Sequence, residues 1–197
     1  MNATACYFVD AMESENARIA RGLRRRDPSL LDQLIEQYQH RLLRYLVYLT
    51  GNHATAEDLF QETWVRVLER GRQYDGRHSF SSWLFTVARN LAIDHLRRKQ
   101  PTSLDAPPPG SDAPAAEPPG HEPSAIEVIT QSERSQAVLE SLGKIPVEYR
   151  ETIVLRFHEG LSLDEIAEVT GAPLGTVKSR LYRGLTCLTP LLKESLS

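Results

Sequence analysis

Eight of the chain's twelve prolines fall between residues 101 and 124, in "PTSLDAPPPGSDAPAAEPPGHEPS". Proline fixes φ and lacks an N–H donor, so such density excludes a helix interior or a central strand. The rest of the stretch is mostly Ala, Gly, Ser and acids, with too little apolar surface to offset the entropy of ordering. It predicts an extended, mobile linker over 101–124. Whatever folds must therefore fold as two pieces, 13–100 and 125–192, each long enough for a small domain.

Every clear periodicity in those pieces is helical. Leu30, Leu31, Leu34, Ile35, Tyr38, Leu42, Tyr45, Leu46 and Leu49 recur at helix spacing after Pro28, and Gly51 closes the run. Leu59, Phe60, Thr63, Trp64, Val67 and Leu68 repeat the pattern from Thr55 to Gly71. A third helix is expected over 79–98, and a weaker one before Pro28. The second piece reads as a helix ending near Leu142, then one opened by Pro146 with Ile153, Val154 and Phe157 as its buried face. Two short helices follow in "EGLSLDEIAEVTGAPLGTVKSRLYRGL". Ser162 with Glu165 makes a capping box, Leu161 with Ile166 a hydrophobic staple, and Gly171 and Pro173 a tight turn. That is a helix-turn-helix signature. The expected fold is all-α: a helical bundle, a Pro-rich linker and a helix-turn-helix domain.

The formal net charge of −3 argues weakly against nucleic acid, but its distribution does not. Between Arg66 and Lys99 eight basic residues face three acids, and 172–184 holds Lys178, Arg180 and Arg183 with no acid. Cys6 and Cys187 make neither a disulfide framework nor a zinc spacing, so no metal and no cofactor are expected. No apolar run is long enough to span a membrane, and the N-terminus lacks a signal-peptide pattern, which predicts a cytoplasmic protein without membrane insertion. No nucleophile, base and orienting group come together, so no enzyme and no small-molecule substrate are expected.

At 100° per residue, Val177, Leu181, Leu185 and Leu188 form the core stripe of the last helix. Ser179, Tyr182, Arg183 and Thr186 lie opposite, with Lys178 and Arg180 on the flanks. Basic, hydroxyl and aromatic groups on one exposed face are the chemistry of a major-groove reader. A solvated face has the same composition, and from spacing alone that plain reading stays open. "FSSWLFTVARNLAIDHLRR" divides the same way. Phe80, Leu84, Ala88, Leu91 and His95 share a core stripe, and Trp83, Thr86, Asn90, Asp94 and Arg97 a neighbouring one. Asn and Asp match base edges, an aromatic stacks on unpaired bases, and Arg97, Arg98 and Lys99 suit phosphates. The plain reading makes Trp83 packing and Asp94 an intrahelical partner of Arg97 or Arg98.

"AEDLFQETWVRV", "FSSWLFTVARNLAIDHLRR" and "LSLDEIAEVTGAPLGTVKSRLYRGL", in that order, resemble the bacterial RNA polymerase sigma factors of the extracytoplasmic function group, within the sigma-70 family. The resemblance implies sigma domain 2 over 13–100 and sigma domain 4 over 125–192. It implies that Asp58, Gln61 and Glu62 meet the β′ clamp helices of core RNA polymerase, and that domain 4 meets the β flap. It implies that Trp83, Asn90, Asp94, Arg97 and Arg98 engage the minus-ten element and that the loop before them helps to melt it. It implies that Thr176, Lys178, Ser179, Arg180, Tyr182 and Arg183 read the minus-thirty-five element, and that an anti-sigma factor is a further partner. Gly184 departs from the group's pattern and predicts early fraying of the last helix. The alternative is a stand-alone helix-turn-helix regulator, or an adaptor whose basic patches dock acidic partners.

Overall fold

A computed structural model describes residues 15–99 and 137–195. The expected linker, 101–124, lies outside the described residues. Among the described residues there are eight α-helices and no strand. They are α1 (15–25), α2 (Pro28–Thr50), α3 (His53–Arg70), α4 (Phe80–Lys99), α5 (137–143), α6 (Val147–Ile153), α7 (Leu163–Thr170) and α8 (Leu174–Ser195). The N-terminal unit is α1–α4 and the C-terminal unit α5–α8.

Local chemistry sets the helix ends. Asp27 Oδ1 accepts from the Ser29 and Leu30 amides at 3.0 and 3.4 Å, and Pro28 opens α2 where its missing N–H costs nothing. Asn52 caps α3 by accepting from Thr55 N at 2.9 Å, and the helix starts at His53, two residues before the Thr55 start that the periodicity predicts. The Ser79 hydroxyl accepts from Ser82 N at 3.2 Å at the head of α4. Ser162 and Glu165 form the expected capping box of α7, and Leu161 and Ile166 are both buried beside it. Gly171 then turns the chain at φ 64°, a left-handed conformation that side chains with a Cβ resist.

The core of the N-terminal unit is the predicted α2 stripe closed by α3 and α4. Leu42, Tyr45 and Leu46 are fully buried, as are Val67, Leu84, Phe85, Ala88 and Ala92. Tyr38, Tyr74 and Phe80 pack edge to face, with centroids 5.5 to 5.6 Å apart, and Phe85 meets Tyr45 the same way at 5.1 Å.

Three expectations are corrected. Phe157 is not core but 64% exposed, because α6 runs on into a π turn over Val154–His158. Its wider spacing changes the helical phase, turning Phe157 outward while Leu155 is buried. Leu185 and Leu68 are also exposed, at the edges of their stripes. The third concerns Gly184, which is buried and does not fray α8. A Cβ there would lie 2.9 Å from Ile153 Cδ1 and 3.1 Å from Tyr149 Cβ, so α6 crosses α8 at this glycine. The core stripe of α8 is therefore Val177, Leu181, Gly184 and Leu188.

An exposed helical Gly→Ala change stabilises by about 1 kcal/mol. Gly184→Ala is expected to fall short of that gain, because Tyr149 Cβ is fixed to the α6 backbone, and Gly184→Leu to lower stability outright. Thermal unfolding checks both; a full gain for alanine means that α6 can move away.

Candidate nucleic-acid and partner-binding surfaces

On α8, Lys178, Ser179, Tyr182 and Arg183 are exposed, Tyr182 to 75%. Thr176 and Arg180 are half-buried at the flanks. The face is positioned by its opposite side, where Val177 is fully buried. Thr176 N and Val177 N bond to Pro173 O at 2.8 and 3.1 Å, so the turn passes directly into the helix. Ser179 Oγ donates to Thr176 O at 3.0 Å, leaving its lone pairs outward.

On α4, Asn90, Asp94, Arg97 and Arg98 are exposed together. No ion pair joins Asp94 to Arg97 or Arg98 among the described residues, so the intrahelical reading of Asp94 finds no support. Trp83 is half-buried, tilted against Tyr74 and Phe80 at 5.4 and 5.8 Å, so much of its ring serves packing. His95 is a half-buried edge residue, as its stripe predicts. On α3, Asp58 and Gln61 are exposed, whereas Glu62 is paired with Arg66 at 2.9 Å. Val65 and Leu68 are exposed on the same helix. Among the described residues no group of His, Cys, Asp and Glu is placed to hold a metal.

Sequence reasoning missed the contact between the two units. Glu151 of α6, its side chain 1% exposed, accepts from Arg89 Nε at 2.8 Å and from Tyr45 Oη at 3.2 Å. Glu159, its side chain fully buried, accepts from Arg41 Nε at 2.9 Å, and Arg41 Nη2 also donates to Glu159 O at 3.1 Å. Arg150 donates the other way, to Tyr48 O and Leu49 O at 3.4 and 3.1 Å, and to Gly143 O and Ile145 O at 2.9 and 3.2 Å. Helix α2 has no basic residue in its last turn. Arg150 supplies that positive charge from the other unit, where the carbonyls of a helix C-terminus need it. At the loop before α4, Ser79 Oγ donates to Glu165 at 3.3 Å and His78 Nδ1 lies 3.0 Å from Glu168.

The family models for Sigma-70 region 2 and Sigma-70, region 4 match residues 34–102 and 135–188. The ECF RNA polymerase sigma factor SigW of Bacillus subtilis is 30% identical over 85% of this chain and 91% of its own length. The chain belongs to the ECF RNA polymerase sigma factors. SigE of Mycolicibacterium smegmatis is 36% identical over 78% of this chain, which spans only 58% of that relative's length. Among solved structures, the sigma factor RpoE of Bartonella quintana, in complex with the anti-sigma factor NepR, matches in fold. Its TM-score is 0.62 at 24% identity, covering 82% of this chain and 96% of that one. As a sigma factor the chain directs promoter-specific initiation by RNA polymerase, and the stand-alone regulator is not favoured. Helix α7, and α8 as far as residue 188, lie in the region 4 match, and α4 in the region 2 match.

Burial raises the Glu151 carboxyl above its ordinary value of 4.5, against the opposing pull of Arg89, Tyr45 and Arg180. A raised folded value means that this group's stabilisation is complete below about 4.5 and is lost as pH rises through the raised value. Glu151→Gln removes the titration. The Tm difference between the variant and the parent is expected to shift in the variant's favour from acid to neutral pH; a constant difference refutes this.

Proposed function

We propose that α4 and the loop before it engage the minus-ten element and that α8 reads the minus-thirty-five element. The observation that carries this is the joint exposure of Asn90, Asp94, Arg97 and Arg98 on one helix, with Asp94 unpaired to either arginine. Arg97 and Arg98 hold phosphates without regard to sequence, whereas Asn90 and Asp94 present short groups to base edges, beside Trp83. On α8, Lys178, Ser179, Tyr182 and Arg183 reach the groove, with Thr176 and Arg180 at its edge. Asp58, Gln61 and Glu62 of α3 face the β′ clamp helices of core polymerase, and the C-terminal unit faces the β flap. The domain limits that fit this division are 13–100 and 125–192, joined by the linker 101–124.

The chain acts by binding and not as an enzyme: capture of unstacked bases offsets the cost of unpairing. An anti-sigma factor is its natural antagonist, since the Bartonella relative is held by one. No helix among the described residues is long and apolar enough to cross a membrane, and we assign the chain to the cytoplasm, where polymerase and promoter are.

Initiation by core polymerase reconstituted with the purified chain, over a promoter library, tests the reading. Asp94→Ala is expected to redistribute initiation among promoters with little change in total. Arg97→Ala is expected to weaken all promoters alike and to reduce the slope of log affinity against log salt by about 1. Equal, uniform weakening by both removes the base-reading role of Asp94.

A further inference from the structure

Helix α1 carries the densest positive charge in the chain, and none of the surfaces described above includes it. Arg18, Arg21, Arg24, Arg25 and Arg26 fall within nine residues, and all five are exposed. Ile19, Ala20 and Leu23 are buried on the other side. At 100° per residue Arg18, Arg21 and Arg25 form one outward stripe, with Arg24 and Arg26 on its flanks. Among the described residues no ion pair reaches any of the five, neither from Glu15 nor from Asp27.

Two features of this arrangement work against the free protein. Arg18 and Arg21, Arg21 and Arg24, and Arg21 and Arg25 stand three or four positions apart, where like charges repel. Helix α1 also ends in a Schellman turn, with Asp27 N bonded to Gly22 O at 3.0 Å and Arg26 N to Leu23 O at 3.2 Å. Arg26 holds the left-handed position of that turn at φ 54°, and among the described residues no other residue with a side chain has positive φ. Glycine ordinarily stands there, and a Cβ is strained. An outlier of this kind points to use of the side chain.

Helix α1 flanks the loop before α4 from end to end. A Cβ on Gly71 would lie 3.2 Å from Leu23 Cβ and one on Gly76 3.1 Å from Asn16 O, and Phe80 N donates to Asn16 Oδ1 at 3.4 Å. The outer face of α1 therefore stands about one helix diameter, roughly 10 Å, from the loop. That is close to a Debye length at physiological salt, so a polyanion on the loop lies within the field of these arginines. From Arg18 to Arg25 the stripe rises about 10 Å, the axial length of about three phosphates of one strand. Between residues 17 and 25 the outward side chains are Ala17 and arginines, which offer donors and no acceptor. Such a face suits phosphate oxygens and not the mixed donors and acceptors of base edges.

We propose that α1 is a phosphate-binding site, whose arginine stripe grips the backbone of promoter DNA beside the minus-ten element at every promoter alike. The placement beside that element rests on the reading of α4 and its loop, whereas the binding of phosphates does not.

The test uses the full chain bound to core polymerase. Affinity for promoter fragments is measured against salt, and affinity for core polymerase separately. Arg18→Gln with Arg21→Gln and Arg25→Gln is expected to weaken all promoters by one common factor, about tenfold or more, and to lower the slope of log affinity against log salt by about 2 to 3. Lysine at the same three positions is expected to keep most of the affinity and the slope. Arg26→Gly is expected to lower the slope by about 1 while raising Tm, a combination that no folding defect produces. Unchanged affinity and slope in the glutamine variant and in Arg26→Gly overturn the proposal. Weakened binding to core polymerase with an unchanged DNA slope overturns it too, and makes an acidic polymerase surface the occupant. A crosslinker on Ala17→Cys, in a chain with Cys6→Ser and Cys187→Ser, is expected to mark the strand flanking the minus-ten element. Marks elsewhere on the promoter, with the slope effect intact, overturn the placement and the minus-ten reading with it, while phosphate binding by α1 stands.

Discussion

The carboxyl of Glu151 organises the structure around itself. It is withdrawn from water between two units that the sequence keeps far apart, and it meets a cation from α4 and a phenol from α2. Burial outweighs both, since its proton is held more tightly than in water. The pair is thus no large source of stability. What it fixes is register: α6 can dock on α2 and α4 only where Glu151 finds Arg89 and Tyr45. The π turn that ends α6 then sets Glu159 against Arg41, and Arg150, beside Glu151 in sequence, reaches back to close the end of α2. One helix of seven residues supplies both an acid and a base to the contact.

The exposed faces follow from what the core consumes. Helix α4 buries Phe80, Leu84, Phe85, Ala88 and Ala92, gives Arg89 to the other unit, and leaves Asn90, Asp94, Arg97 and Arg98 in water. Helix α8 does the same with Val177, Gly184 and Leu188 inside and Lys178, Tyr182 and Arg183 outside. Gly184 is what lets α6 lie this close, and it costs α8 helix propensity that packing recovers. A residue that looks like a weak point along the chain is a crossing point in space.

Much of this was legible in the sequence, because helix period, caps and turns are local. The α2 stripe, the Ser162–Glu165 box, the Gly171 turn and the exposed residues of α4 and α8 all follow from spacing. Phe157 and Leu185 were misplaced where a distant contact or a π turn changes the phase, which a fixed angle per residue cannot register. The contact between the units was invisible for a related reason: hydrogen bonds across about a hundred residues leave no periodic trace. One signal was present. Arg41, Arg89 and Glu151 have no opposite charge three or four positions away, so a helical partner had to come from elsewhere in the chain.

Why such a contact should be built from arginines and glutamates, when leucines would bind at least as tightly, has a physical answer. Groups that meet across two units must each be at ease in water before they meet. An apolar interface, once parted, leaves two patches that invite aggregation. Guanidinium and carboxylate regain their hydration on parting, so what is lost in pairing is largely returned. The contact between the units is thus specific in register and nearly neutral in energy.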